Sequence, residues 1–174
     1  MADIAPLPYN DPTVRMVVHE MKYWNSRRAA MLLGTVLGWH LAEVLADARM
    51  HGQFTHALLL PIPLHPKRLR ERGFNQSERL AAALLQTLED QHLTLATNIV
   101  HRHIHTPHQT RQKNRRTRIA NIQNAFKVQN EAAVHNLDII LVDDVVTTGA
   151  TFEAAQRTLR AAGARHILCA AAAH

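Results

Sequence analysis

The chain has 174 residues, enough for one domain that buries roughly 70% of the surface its unfolded form exposes. Hydrophobic residues make up 47% and charged residues 20%, with six Gly and seven Pro, which excludes collagen-like, low-complexity and disordered classes. Twenty Lys and Arg against fourteen Asp and Glu leave a net charge of +6, a balance that attracts anions without choosing between nucleic acid, nucleotide and phosphorylated sugar.

In chain order, the first predicted helix starts at Asp11-Pro12, where Asp caps free N–H groups and Pro suits the first helical position. Val14, Val17, Val18 and Met21 recur along it at helical spacing. Ser26 is set to cap a second helix with a stripe of Leu33, Leu37, Leu41, Val44 and Leu45. Trp24 and Trp39 read as packing residues of this pair. Residues 1–50 thus read as a helical flank and residues 51–174 as an α/β core. The apolar stretch 31–39 is too short to span a bilayer, and no early segment has the layout of a signal peptide. The single cysteine, Cys169, reads as a buried structural thiol. It can form no internal disulfide, so a reducing compartment, the cytoplasm, is expected.

A strand is predicted at 55–60, ended by Pro61, followed by a strongly basic loop at 61–74. Asn75 and Glu78 make a capping pair for a helix that buries Leu80, Ala81, Leu84, Leu85 and Leu88. Strands are predicted near 99–104 and at 125–128. Between them, 105–123 is polar and without period, and reads as mobile. No acid occurs from 91 to 130, where seven Lys and Arg lie. Alternating His101, His103 and His105, with His108, read as a polar strand end more readily than a metal site.

The apolar run 139–142 predicts a strand covered on both faces, as in a parallel sheet. It is followed by a helix with Phe152, Ala155, Leu159 and Ala162 on its buried side and Gly163 at its end, then a strand at 167–171. Strands alternating with helices predict a mostly parallel sheet, with ligands at the carboxyl ends of its strands.

The segment I-I-L-V-D-D-V-V-T-T-G-A-T at 139–151 carries the chemistry. Free N–H groups at a helix start favour a phosphate, and Gly149 lets the backbone approach it. The hydroxyls of Thr147, Thr148 and Thr151 add donors. Asp143 and Asp144 are acceptors suited to ribose hydroxyls one ring away, with Mg²⁺ bridging hydroxyls and pyrophosphate oxygens. Lys67, Arg68, Arg70 and Arg72 can neutralise a pyrophosphate, as an alternative to a solvated charge cluster.

V-D-D-V-V-T-T-G-A-T resembles the 5-phosphoribosyl 1-pyrophosphate (PRPP) motif of type I phosphoribosyltransferases. Residues 61–76 (P-I-P-L-H-P-K-R-L-R-E-R-G-F-N-Q), 118–126 (R-I-A-N-I-Q-N-A-F) and M-K-Y at 21–23 resemble the ComF family of competence-associated members. The similarity extends over about residues 9–173. The cysteine-rich zinc module that begins longer members has no counterpart in these residues. The resemblance implies a type I phosphoribosyltransferase-like α/β fold with an N-terminal helical pair. Asp143 and Asp144 would hold ribose, and Thr147, Thr148, Gly149, Ala150 and Thr151 the 5-phosphate. Lys67, Arg68 and Arg72 would take the pyrophosphate, and Arg115, Arg116 and Arg118 would lie in a flexible closing loop. The alternative for that loop is contact with a nucleic-acid backbone. Mg²⁺-dependent phosphoribosyl transfer to an undetermined acceptor is the implied activity. Non-catalytic PRPP binding or single-stranded-DNA handling in natural competence is the alternative.

Overall fold

The apolar run at 139–142 becomes part of the strand around which the molecule is organised. The computed structural model describes residues 2–104 and 125–174. In order, the elements are α1 (Pro12–Trp24), α2 (Arg27–Met50), β1 (Ala57–Pro61), α3 (Pro66–Arg72), α4 (Gln76–Leu88), β2 (Leu93–Leu95), β3 (Val100–Arg102) and β4 (Phe126–Val128). A 3₁₀ turn (Glu131–Ala133), β5 (Asp138–Val145), α5 (Ala150–Ala161) and β6 (Ile167–Ala173) follow.

β2, β1, β5 and β6 lie side by side in that order, every neighbour parallel, while β3 and β4 form a separate antiparallel pair. The N-terminal segment extends the sheet past β6: Ile4 and Leu7 bridge to Ala170 and Ala173, and Asp3 accepts the Cys169 N–H at 2.7 Å.

Alternation along β5 builds two cores, because successive side chains point to opposite faces. Ile140 and Val142 join α1, α2 and α4 in one cluster; Ile139 and Leu141 join Val100, Phe126 and the α5 residues Phe152, Ala155 and Leu159 in the other. The α2 stripe of Leu33, Leu37, Leu41 and Leu45 is fully buried, each side chain contributing about 1.5–3 kcal/mol by transfer from water. By length and composition α2 could cross a membrane, yet this stripe is part of the protein core. Gly34 and Gly38 bring it close to α4: a Cβ on Gly34 would sit 2.7 Å from that of Ala83.

Several expectations need correction. The basic stretch after β1 is a helix over Pro66–Arg72: Pro66 starts it, His65 Nδ1 caps the Lys67 N–H at 3.2 Å, and Gly73 closes it at φ 83°. β2 was not anticipated, being only three residues long. β5 runs on through both acids to Val145, and β6 reaches Ala173. Val44 is not in the buried stripe; it is 38% exposed. Trp24 and Trp39 are not packing residues: they are 77% and 63% exposed, because each falls on the outward side of its helix. Cys169 is buried as expected, and burial pushes its thiol up to about 12, which keeps it unreactive.

Candidate functional site

The carboxyl end of β5 places Asp143 and Asp144 just before the turn that opens α5. Gly149 adopts φ 75° at the N-cap of that helix, a conformation that suits a residue lacking Cβ. α5 has no side-chain cap; only a long contact of 3.4 Å joins the Ala150 N–H to Thr148 Oγ1. By contrast α1, α2, α3 and α4 are capped by Asp11, Ser26, His65 and Asn75. Thr147 and Thr148 are exposed, and Ala150 and Thr151 half-buried, so the first turn of α5 offers N–H and hydroxyl donors to an anion.

The two acids are held by different helices. Asp143 Oδ1 accepts both from Ser77 Oγ at 2.8 Å and from the Asp144 N–H at 2.9 Å. Ser77 is fixed in turn by Asn75, whose Oδ1 accepts the Ser77 N–H at 3.1 Å while its Nδ2 donates to the Ile62 carbonyl at 3.1 Å. The capping pair read from sequence thus does more than start α4: it ties that helix to the end of β1. Asp144 is 4% exposed and is met by Lys22 of α1, Nζ to Oδ1 at 3.1 Å. Its Oδ2 is buried with no hydrogen-bond partner among the described residues.

Charge is divided unequally here. Burial, then the adjacent Asp144 charge, pushes the Asp143 carboxyl up to about 7, although Ser77, the Asp144 N–H and Lys22 pull the other way. Burial alone would lower the Lys22 ammonium, but the charge and hydrogen bond of Asp144 outweigh it and hold Lys22 above its ordinary value. Arg102, on β3, is held below the usual guanidinium range by burial and then by the like charge of Arg68, opposed by the attraction of Asp143.

Of the basic residues singled out, Lys67 is exposed and Arg68 half-buried on α3. Arg72 is turned toward protein: it donates to Gln76 Oε1 and lies over the Tyr23 ring, 5.4 Å from its centroid. Arg115, Arg116 and Arg118, together with His105 and His108 and the whole of the stretch 105–123, lie outside the described residues. His101 Nε2 is 3.1 Å from the Asn98 carbonyl. Among the described residues no three His, Cys, Asp or Glu converge as a metal cage.

Sequence reasoning did not assign roles to Lys22, Ser77 or Arg102. The M-K-Y match at 21–23 was the one signal for Lys22. Ser77 and Arg102 carry no local signal, because only the packing of α4 and β3 against β5 brings them to Asp143.

The family model for the phosphoribosyl transferase domain matches residues 74–174. Among curated proteins, DNA utilization protein YhgH of Salmonella typhimurium is 33% identical over 154 residues, covering 86% of this chain and 62% of its own. Competence protein F of Haemophilus influenzae is 35% identical over 135 residues, covering 73% and 56%. The chain therefore spans less than two thirds of the length of these relatives. Among solved structures, the glutamine phosphoribosylpyrophosphate amidotransferase from B. subtilis superposes with a TM-score of 0.53 at 14% identity, over 89% of this chain and 30% of that one, a likeness of fold.

Proposed function

From the premise that this chain belongs to the phosphoribosyl transferase domain family, with competence protein F among its relatives, we propose that it binds PRPP and transfers its phosphoribosyl group. The observation that carries this reading is Asp144 Oδ2, buried and without a partner among the described residues, beside the start of α5, which has no side-chain cap. A buried acceptor left unpaired costs free energy, and a sugar hydroxyl one ring away from a phosphate on α5 would satisfy it. Asp143 accepts from Ser77 and from the Asp144 N–H on Oδ1, so among the described residues each acid has one oxygen to offer to a vicinal diol.

The chain's residues would act by position and charge. Thr147, Thr148, Gly149, Ala150 and Thr151 take the 5-phosphate, Asp143 and Asp144 orient the ring, and Lys67 and Arg68 meet the pyrophosphate, while Arg72 is engaged by Gln76 and the Tyr23 ring. Displacement at C1 needs no protein nucleophile; what it needs is geometry and stabilisation of the departing charge. Two carboxylates, one already engaged by Lys22, suit a hydrated Mg²⁺ carried by the substrate's own oxygens rather than an all-protein cage. When bound, that ion would neutralise the leaving pyrophosphate. The cytoplasm, where nucleotide precursors are made, is the proposed location.

The test is thermal denaturation with PRPP and Mg²⁺. A ligand at 100 times its Kd adds about 2.7 kcal/mol, and Asp143→Asn with Asp144→Asn should abolish the gain while the variant stays folded. An equal gain in the double variant refutes the reading. A second reading, single-stranded-DNA handling, is favoured by the acid-free block at 91–130 and by the names of the relatives. Changing Arg115, Arg116 and Arg118 to Ala separates the two. Under the DNA reading the salt slope of DNA binding flattens by roughly 0.7 per lost phosphate contact; under the transferase reading PRPP affinity falls while ribose 5-phosphate affinity holds.

A further inference from the structure

α1 lies outside the span 74–174 that the family model matches, yet it sends a cation into the acid pair. Lys22 is on the last turn of α1, between Met21, which is buried in the core, and Tyr23, which contacts His19 and Arg72. The buried methionine fixes the rotation of the helix, and this rotation directs Lys22 to Asp144.

An ion pair can be purely structural, and exposed pairs contribute little. This one differs in two respects. Asp144 is almost fully buried, so its charge requires a partner. The pairing is also one-sided: Lys22 engages Oδ1 and leaves Oδ2 buried and unpartnered among the described residues. Lysine suits this task because its ammonium is a compact point charge, whereas the fork of arginine would tend to engage both oxygens. Asp143 and Tyr9 also act on the Lys22 charge, and Asp143 is in turn met by Ser77 and attracts Arg102. Lys22 is the cation that touches Asp144 directly among the described residues.

We propose that Lys22 is a positioning residue of the sugar site, holding Asp144 by one oxygen so that the other is presented to a ribose hydroxyl. The inference rests on the site reading above, and it makes α1 a wall of the sugar site rather than a flank. Its consequence is specificity: Lys22 would set how well the protein distinguishes a sugar bearing both hydroxyls from one lacking either.

The experiment measures calorimetric affinities of the full chain for ribose 5-phosphate, 2-deoxyribose 5-phosphate and 3-deoxyribose 5-phosphate. Wild type should prefer ribose 5-phosphate over both deoxy sugars. Lys22→Met should weaken ribose 5-phosphate by about tenfold, as expected for losing one hydrogen bond to a charged group. The affinity for one of the two deoxy sugars should hardly move, so that preference collapses. Lys22→Arg, which keeps the charge but whose fork would engage both Asp144 oxygens, should likewise weaken ribose 5-phosphate and narrow the preference. If Lys22→Met does not fold, Lys22→Gln supplies the same comparison. Equal losses for all three sugars, or an unchanged preference, overturn the proposal and leave Lys22 with a structural role. Absence of ribose 5-phosphate binding by wild type instead overturns the site reading, and this inference with it.

Discussion

Replacing Asp138 with Asn should destabilise the protein without touching the site. Asp138 opens β5 and is 0% exposed. Its Oδ2 accepts from the Phe54 N–H at 2.6 Å and from Arg165 Nη2 at 2.8 Å, and its Oδ1 from Arg165 Nε at 2.7 Å, with His166 Nδ1 2.8 Å away. Asparagine keeps the shape, removes the charge and turns an NH₂ toward donors. The Arg165 part is discounted, because that side chain is 40% exposed and water can replace its partner. The same discount applies to His166, whose side chain is 38% exposed; the Phe54 N–H cannot be compensated so readily, and a buried donor left unsatisfied costs about 1–3 kcal/mol. A loss of about 1–3 kcal/mol is an appreciable part of the 5–15 kcal/mol expected of a native domain.

Urea unfolding measures this directly: with a slope of about 2 kcal/mol/M, the midpoint should fall by roughly 1 M. Burial would raise the Asp138 carboxyl, but the bonds from Arg165, His166 and the Phe54 N–H outweigh it and hold it below the usual carboxylate range. A lowered carboxylate stabilises above its unfolded pKa of about 4 and loses that contribution as pH falls through the folded value. The difference between wild type and Asp138→Asn should therefore shrink under acid conditions. Six positions of strand, about 20 Å, separate Asp138 from Asp144, so ribose 5-phosphate affinity should not change. A loss below about 1 kcal/mol at pH 7, or a difference indifferent to pH, would refute this account of the network.

Asp143→Asn should do the reverse and gain stability at a cost in binding. Because the Asp143 carboxyl is raised to about 7 in the folded state and titrates near 4 when unfolded, the folded wild type loses stability as pH rises across that interval. The variant should melt higher than wild type at pH 8, with little difference at pH 4, and an equal advantage at both pH values contradicts the assignment. Gly34→Ala gains about 1 kcal/mol of helix propensity, but its Cβ would lie 2.9 Å from the Leu84 backbone nitrogen, and overpacking costs about 1–3 kcal/mol. Denaturant melts should show a net loss for Gly34→Ala and a smaller effect for Gly38→Ala, whose Cβ would meet the Thr87 side chain at 3.1 Å. A more stable Gly34→Ala protein would mean that the two helices separate easily.

The strand–turn–helix from Asp138 to Ala161 could be read from sequence because its determinants are local. An apolar run, an acid pair, small hydroxyl residues and a glycine with positive φ all fall within one short stretch. The stripes of α2 and α4 were legible for the same reason: their spacing matches the helical period. α3 was not, because Lys67, Arg68, Arg70 and Arg72 present no apolar stripe and only its caps announce it. Exposure of Trp24 and Trp39 depends on which side of each helix meets the sheet, and residue type alone suggests the opposite. The partners of the acid pair depend on packing between elements distant in sequence. Lys22 reaches Asp144 because α1 docks through Val18 and Met21, and Ser77 reaches Asp143 because Asn75 anchors α4 to the end of β1. The sequence specified which acids stand at the end of β5; tertiary packing decided that Asp144 keeps one buried oxygen without a partner among the described residues, since that depends on where α1 comes to rest and how Lys22 meets the other oxygen.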